Sequence, residues 1–176
     1  LGRLDEAVTS FQKALTIDPN LAEAHNNLGL ALQEMGKPEE ALESYYKALN
    51  IMPDYAEAHY NIGNTLCDLG KLDDAVTSYN KALAIKPDYA AVFNNLGIAL
   101  FDLGMEVEAV ASYQRALDIK PDFPEGNYNL GRVLLILGQI KEGLEYTRKG
   151  YGVIEFSNDK SGHFSIIGGL ERKAET

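Results

Sequence analysis

Along residues 1–152 apolar side chains recur at helical spacing, in short stretches separated by glycine or proline. In the stretch that opens at Ala22, residues Ala24, Leu28, Ala31, Leu32 and Met35 fall on one arc at about 100° per residue. Glu23, Asn26, Asn27, Leu30, Gln33 and Glu34 fall on the opposite arc. Gly36 is a helix stop, and Pro38 suits a first turn because its missing N–H has no partner there to lose. Pro53 ends the helix that follows. The pattern therefore predicts helices over 22–35 and 38–51. The same punctuation predicts them over 56–69 and 72–85, 90–103 and 106–119, and 124–137 and 140–152. A single helix over about 4–17 precedes them.

The punctuation is periodic. Gly2, Gly36, Gly70, Gly104 and Gly138 stand 34 residues apart, as do Gly29, Gly63, Gly97 and Gly131, and Pro19, Pro53, Pro87 and Pro121. Ala7, Ala41, Ala75 and Ala109 continue to Gly143, and Ala14, Ala48, Ala82 and Ala116 continue to Gly150. With Ala22, Ala56, Ala90 and Pro124 as position one, positions seven and eight read Leu28-Gly29, Ile62-Gly63, Leu96-Gly97 and Leu130-Gly131. Position twenty-four carries Tyr45, Tyr79, Tyr113 and then Thr147.

These columns resemble the tetratricopeptide repeat family over roughly residues 1–152. The divisions are a partial repeat at 1–21 (second helix only), repeats at 22–55, 56–89 and 90–123, a degenerate repeat at 124–152, and a tail at 153–176. Gly143, Thr147, Gly150 and Glu155 depart from the family pattern in the last repeat. The resemblance implies an all-α, right-handed solenoid of antiparallel helix pairs whose first helices line a concave surface. One pair cannot bury its apolar face alone, so stability comes from stacking on neighbours.

The arc opposite the packed side merges, repeat by repeat, into one stripe. In the second repeat it reads Glu57, Tyr60, Asn61, Asn64, Cys67 and Asp68; in the third, Ala91, Asn94, Asn95, Ile98, Phe101 and Asp102. In the fourth it reads Glu125, Tyr128, Asn129, Arg132, Leu135 and Ile136. Asn27, Asn61, Asn95 and Asn129 form a column, although a mid-helix Asn costs about half a kcal/mol against Ala. A primary amide both donates and accepts, so such a ladder suits a peptide backbone; the same column also suits contacts to a neighbouring helix. In this it is closest in style to superhelical arrays with an asparagine ladder, as in the repeat domain of O-linked N-acetylglucosamine transferase. Asn26, Asn94, Tyr60, Tyr128, Asn64, Glu57, Asp68, Phe101 and Asp102 complete the candidate peptide-binding set. Six acids and one base, Arg132, lie on the stripe, which favours a neutral or basic ligand. Acidic chaperone tails are gripped in this family by a clamp of Lys, Asn and Arg. Asn26, Tyr60, Asn94, Tyr128 and Asn95 stand at the corresponding positions, so that clamp is absent.

A net charge of −10 argues against nucleic acid or an anionic membrane surface as partner. One cysteine, Cys67, and no N-x-S/T sequon lean towards a reducing, cytoplasmic setting, with the periplasm left open. The chain begins in mid-pattern at Leu1, without Met, and reads as a piece of something longer. Phosphate-loop, dinucleotide and nucleophile-elbow motifs do not occur. His25 and His59 repeat in register, but a zinc ion would need two more ligands. No catalytic group, cofactor or metal is expected. Residues 152–157 and 163–167 read as a hairpin, either a cap on the last helix or the start of a downstream domain. The leading expectation is a protein- or peptide-binding scaffold. Two others stand beside it: a substrate-recognition arm of a larger transferase or hydroxylase, and end-to-end self-association through uncapped repeats.

Overall fold

The computed structural model describes residues 2–151, 155–158 and 164–167. The helices are α1 (Gly2–Ile17), α2 (Ala22–Glu34), α3 (Pro38–Ile51), α4 (Ala56–Asp68), α5 (Leu72–Ile85), α6 (Ala90–Asp102), α7 (Glu106–Ile119), α8 (Pro124–Ile136) and α9 (Ile140–Tyr151). Strands β1 (Glu155–Asn158) and β2 (Phe164–Ile167) pair antiparallel, with Glu155 opposite Ile167. The connecting residues, His163 among them, and residues 168–176 lie outside the described residues, as does the expected cap or downstream domain.

The turns form for the reasons the punctuation suggests. Gly36, Gly70, Gly104 and Gly138 have φ of 71–78°, the left-handed region that costs a residue with a Cβ. This conformation lets Lys37 N–H donate to the Leu32 carbonyl at 3.0 Å and Gly36 N–H to Gln33 at 2.9 Å, satisfying carbonyls that the helix end would orphan. Acids open the second helices, Glu39 and Glu40 in α3 and Asp73 and Asp74 in α5, where they complement the helix dipole.

Helices pair in sequence, α2 with α3, α4 with α5, α6 with α7 and α8 with α9, and each second helix then meets the next first helix. First helices also touch one another (α2 with α4, α4 with α6, α6 with α8), whereas among the described residues no two second helices do. The stack is therefore closed along the first helices and splayed along the second, an α-solenoid with the first helices on its inner side.

Glycine sets the spacing within each pair. A Cβ on Gly29 would lie 2.5 Å from Cε1 of Tyr45, and Gly63 and Gly97 face Tyr79 and Tyr113 in the same way. The three tyrosine rings are 0–2 % exposed. In the last repeat the smaller residues tighten the pair instead of loosening it. Gly143, Thr147 and Gly150 are all buried. A Cβ on Gly131 would meet the Thr147 backbone nitrogen at 2.6 Å, and one on Gly150 the Pro124 carbonyl at 2.7 Å. Two backbones thus approach where a tyrosine ring separates them elsewhere. At the other end, α1 packs on α2 alone among the described residues, and Phe11, the equivalent of Tyr45, is only half-buried.

Candidate functional site

The asparagine column is aligned, but its amides are engaged between repeats. Asn61 Nδ2 donates to Asn26 Oδ1 at 2.9 Å, Asn95 Nδ2 to the Tyr60 hydroxyl at 3.2 Å, and Asn129 Nδ2 to Asn94 Oδ1 at 3.0 Å. From the second repeat on, each position-six amide therefore ties its repeat to position five of the repeat before. Asn94 Nδ2 in turn donates to Asn95 Oδ1 at 3.1 Å, and Asn95 Nδ2 also reaches Asn64 Oδ1 at 2.8 Å. Asn26, Asn61 and Asn94, expected on the open stripe, are 4, 7 and 5 % exposed. The cause is the stacking of first helices, which covers Asn26 and Asn94 at position five with the next one and turns Asn61 at position six onto the one before. Asn27 alone of the column is exposed.

Asn64, Asp68 and Asn95 come together with Gln33, Tyr79 and Ile98 around a cleft of about 280 Å³ on the inner side. Its polar groups are held in place. Tyr79 donates to Asn64 Oδ1 at 2.8 Å, while Tyr45 and Thr65 both donate to Gln33 Oε1, at 3.1 and 2.9 Å. Gln33 Nε2 donates to Asp68 at 2.9 Å, bridging two repeats. Burial pushes the Tyr45 and Tyr79 phenols far above their ordinary pKa, so they act as neutral donors. Cys67 lies 3.5 Å from the Tyr79 hydroxyl, and burial raises its thiol pKa, which keeps it a thiol rather than a nucleophile.

The remaining candidates are spread along the array. Asp68 and Asp102 are exposed, and Phe101 is half-buried against the core. Tyr128 sits at the last repeat, edge-on to Tyr151 at 4.3 Å between centroids, with Arg132 5.7 Å from its ring. Glu57 and Tyr60, both expected from the helix face, join Lys86 and Tyr89, which that reasoning missed because they sit on the loop before α6. Tyr60 and Tyr89 are 5.3 Å apart, Lys86 Nζ stands 4.5 Å over the Tyr89 ring, and the same Nζ is 3.4 Å from Glu57 Oε1. The repeated Lys86-Pro87-Asp88-Tyr89 and Lys120-Pro121-Asp122-Phe123 was the available signal.

Among the described residues no group of three or more His, Cys, Asp or Glu is placed to hold a metal. The two register histidines staple loops: His25 Nε2 lies 3.0 Å from the Pro19 carbonyl and His59 Nε2 3.2 Å from that of Pro53. Asn127 does the same work, donating to Pro121 at 3.1 Å. Burial lowers the His59 pKa and outweighs the opposing effect of the Pro53 carbonyl. The unfolded chain thus takes up the proton first as pH falls. Stability from the neutral ring is complete above the ordinary histidine value of about 6.5 and is lost as pH drops through it towards the folded value. Urea midpoints measured at several pH values should accordingly fall less steeply on acidification in His59→Asn, and an unchanged slope would contradict this assignment.

The family model described as TPR repeat matches residues 1–36, 63–104 and 107–138, and that described as Tetratricopeptide repeat matches 22–55. No curated protein matches the chain. Among solved structures, a crystal structure of MamA is 28% identical, covers 85% of this chain and 87% of its own, and superposes with a TM-score of 0.78. A thermophilic TPR protein of Thermus thermophilus is 27% identical over 86% of this chain and 84% of its own, with a TM-score of 0.71. YrrB, described as a TPR protein with an unusual peptide-binding site, is similar in fold at 22% identity. It covers 86% of this chain and 78% of its own, with a TM-score of 0.70.

Proposed function

The chain belongs to the tetratricopeptide repeat family, whose arrays are protein-interaction scaffolds, and on that footing we propose that its inner side binds an extended, neutral or basic segment of another protein. The observation that carries this is the cleft at Gln33, Asn64, Asp68 and Asn95, where neighbouring repeats converge fixed polar groups beside the apolar Ile98. Amide and carboxylate groups held by their own hydrogen bonds lose little freedom when a ligand docks. The reading differs from a simple asparagine ladder. The Asn61, Asn95 and Asn129 amide nitrogens, like that of Gln33, are engaged between repeats, so Asn64 and the acidic rim meet the ligand. No helix among the described residues is long and apolar enough to cross a membrane, and the lone, thiol-form Cys67 fits a cytoplasmic setting. Binding, not catalysis, is the role.

Selection of decapeptides from a random display library on the immobilised chain tests it. The selected pool is expected to be enriched in Lys and Arg, and Asp68→Lys with Asp102→Lys is expected to weaken selected peptides about tenfold or more at low salt. The melting temperature should fall only modestly, because both carboxylates are exposed and only Asp68 gives up a bond, the one from Gln33 Nε2. Full retention of affinity in the reversed variant would remove the inner side as the binding surface.

A further inference from the structure

The repeats can be compared with one another at the loop that precedes each first helix. In the second repeat the aromatic Tyr89 carries Lys86 over its ring at 4.5 Å, and the same ammonium meets Glu57 at 3.4 Å. In the third, Phe123 carries Lys120 at 4.9 Å, with Ala91 where the acid stood. In the first complete repeat the acid and the aromatic are both present, as Glu23 and Tyr55, but Met52 occupies the lysine position. Among the described residues no cation lies over the Tyr55 ring, which is half-buried in the loop.

We propose that Glu23 and Tyr55 form an open notch that receives a Lys or Arg side chain from a bound partner chain, in the place that Lys86 fills one repeat later. The occupied neighbour shows how an acid and an aromatic ring at these positions hold an ammonium. A cation over an aromatic face is favourable even where exposed, and a carboxylate beside it adds direction. Glu23 and Met52 also border a cleft of about 600 Å³ lined mainly by apolar groups, Phe11, Leu21 and Ile51 among them, in which Glu23 is the one charged residue. Such a wall takes the methylene stem of a long basic side chain while its head reaches the carboxylate. Burial, and after it the carboxylates of Glu23 and Glu57, raise the Tyr55 pKa. The site rests on the peptide-binding reading and adds to it a chemical identity for one ligand residue.

The test uses the full chain with labelled tyrosines and a blocked peptide, Gly-Gly-Lys-Gly-Gly, followed by NMR titration. Its norleucine counterpart is the control. The expected result is a saturable shift of the Tyr55 ring signals with the lysine peptide and none at Tyr89, whose cation is already in place. Glu23→Gln should weaken the Tyr55 response at least threefold, and Met52→Lys should abolish it by supplying the cation internally. Equal responses to lysine and norleucine, equal shifts at Tyr55 and Tyr89, or a Met52→Lys chain that still responds would each overturn the notch. The peptides selected on the inner side report separately on the scaffold reading, since losing the notch alone leaves their sensitivity to Asp68 and Asp102 intact.

Discussion

Gly63→Ala is expected to destabilise the array by about 2–4 kcal/mol, as read from the shift of its urea unfolding curve. On helix propensity alone the change should help, by about 1 kcal/mol, because Ala is the better helix former. Packing reverses the sign. The new methyl would lie 2.6 Å from Cδ1 of Tyr79 and 2.9 Å from its Cζ, with the ring only 1 % exposed. The ring has no route of retreat: its hydroxyl is bonded to Asn64 at 2.8 Å, and the Tyr60 ring lies tilted beside it at 6.2 Å between centroids. The lesion also lies in a central repeat, where lost stacking is felt on both sides. Tyr79→Leu should relieve the clash, so the double variant is expected to lose much less than the sum of the two single losses. An unshifted midpoint for Gly63→Ala, or strict additivity with Tyr79→Leu, would show that the glycine is not there to admit the ring.

Spacing alone does not show that each glycine admits a ring, but the two columns behind that contact, Gly29, Gly63 and Gly97 with Tyr45, Tyr79 and Tyr113, were legible in the sequence. The last repeat was not. Gly143, Thr147 and Gly150 read one at a time as departures from the pattern, yet with the in-register Gly131 they bring two backbones into contact. A column compares a residue with its counterparts and is blind to compensation inside one helix pair. The inner face was half legible for a different reason. Helical spacing fixes the direction in which Asn26, Asn61 and Asn94 leave their helices, but whether that direction ends in solvent depends on where the next helix lies. The acids at Asp68 and Asp102 point away from that neighbour and stay exposed, as the spacing indicates. Tyr55, Tyr89 and Lys86 sit on loops, where no helical period applies.

The second large effect is expected at the buried asparagines. Asn94→Ala should cost about 2–3 kcal/mol, because deleting one amide strands two partners. Asn94 Oδ1 accepts from Asn129 at 3.0 Å and Asn94 Nδ2 donates to Asn95 at 3.1 Å, within a side chain 5 % exposed. Removing it leaves the Asn129 N–H and the Asn95 oxygen unpaired where water enters poorly, and unpaired buried groups cost more than the bond itself gained. The damage falls between the third and fourth repeats. Hydrogen exchange should therefore accelerate in α8 and α9 well before it does in α2 and α3, as the final pair detaches from the stack. Asn27→Ala is the contrast. That side chain is exposed, and its one side-chain hydrogen bond among the described residues is a 3.5 Å approach from Asn26, so its loss should barely move the unfolding midpoint. If Asn94→Ala and Asn27→Ala behaved alike in both measurements, the asparagines could not be the bolts between repeats. The column would return to the role of a free ladder offered to the ligand.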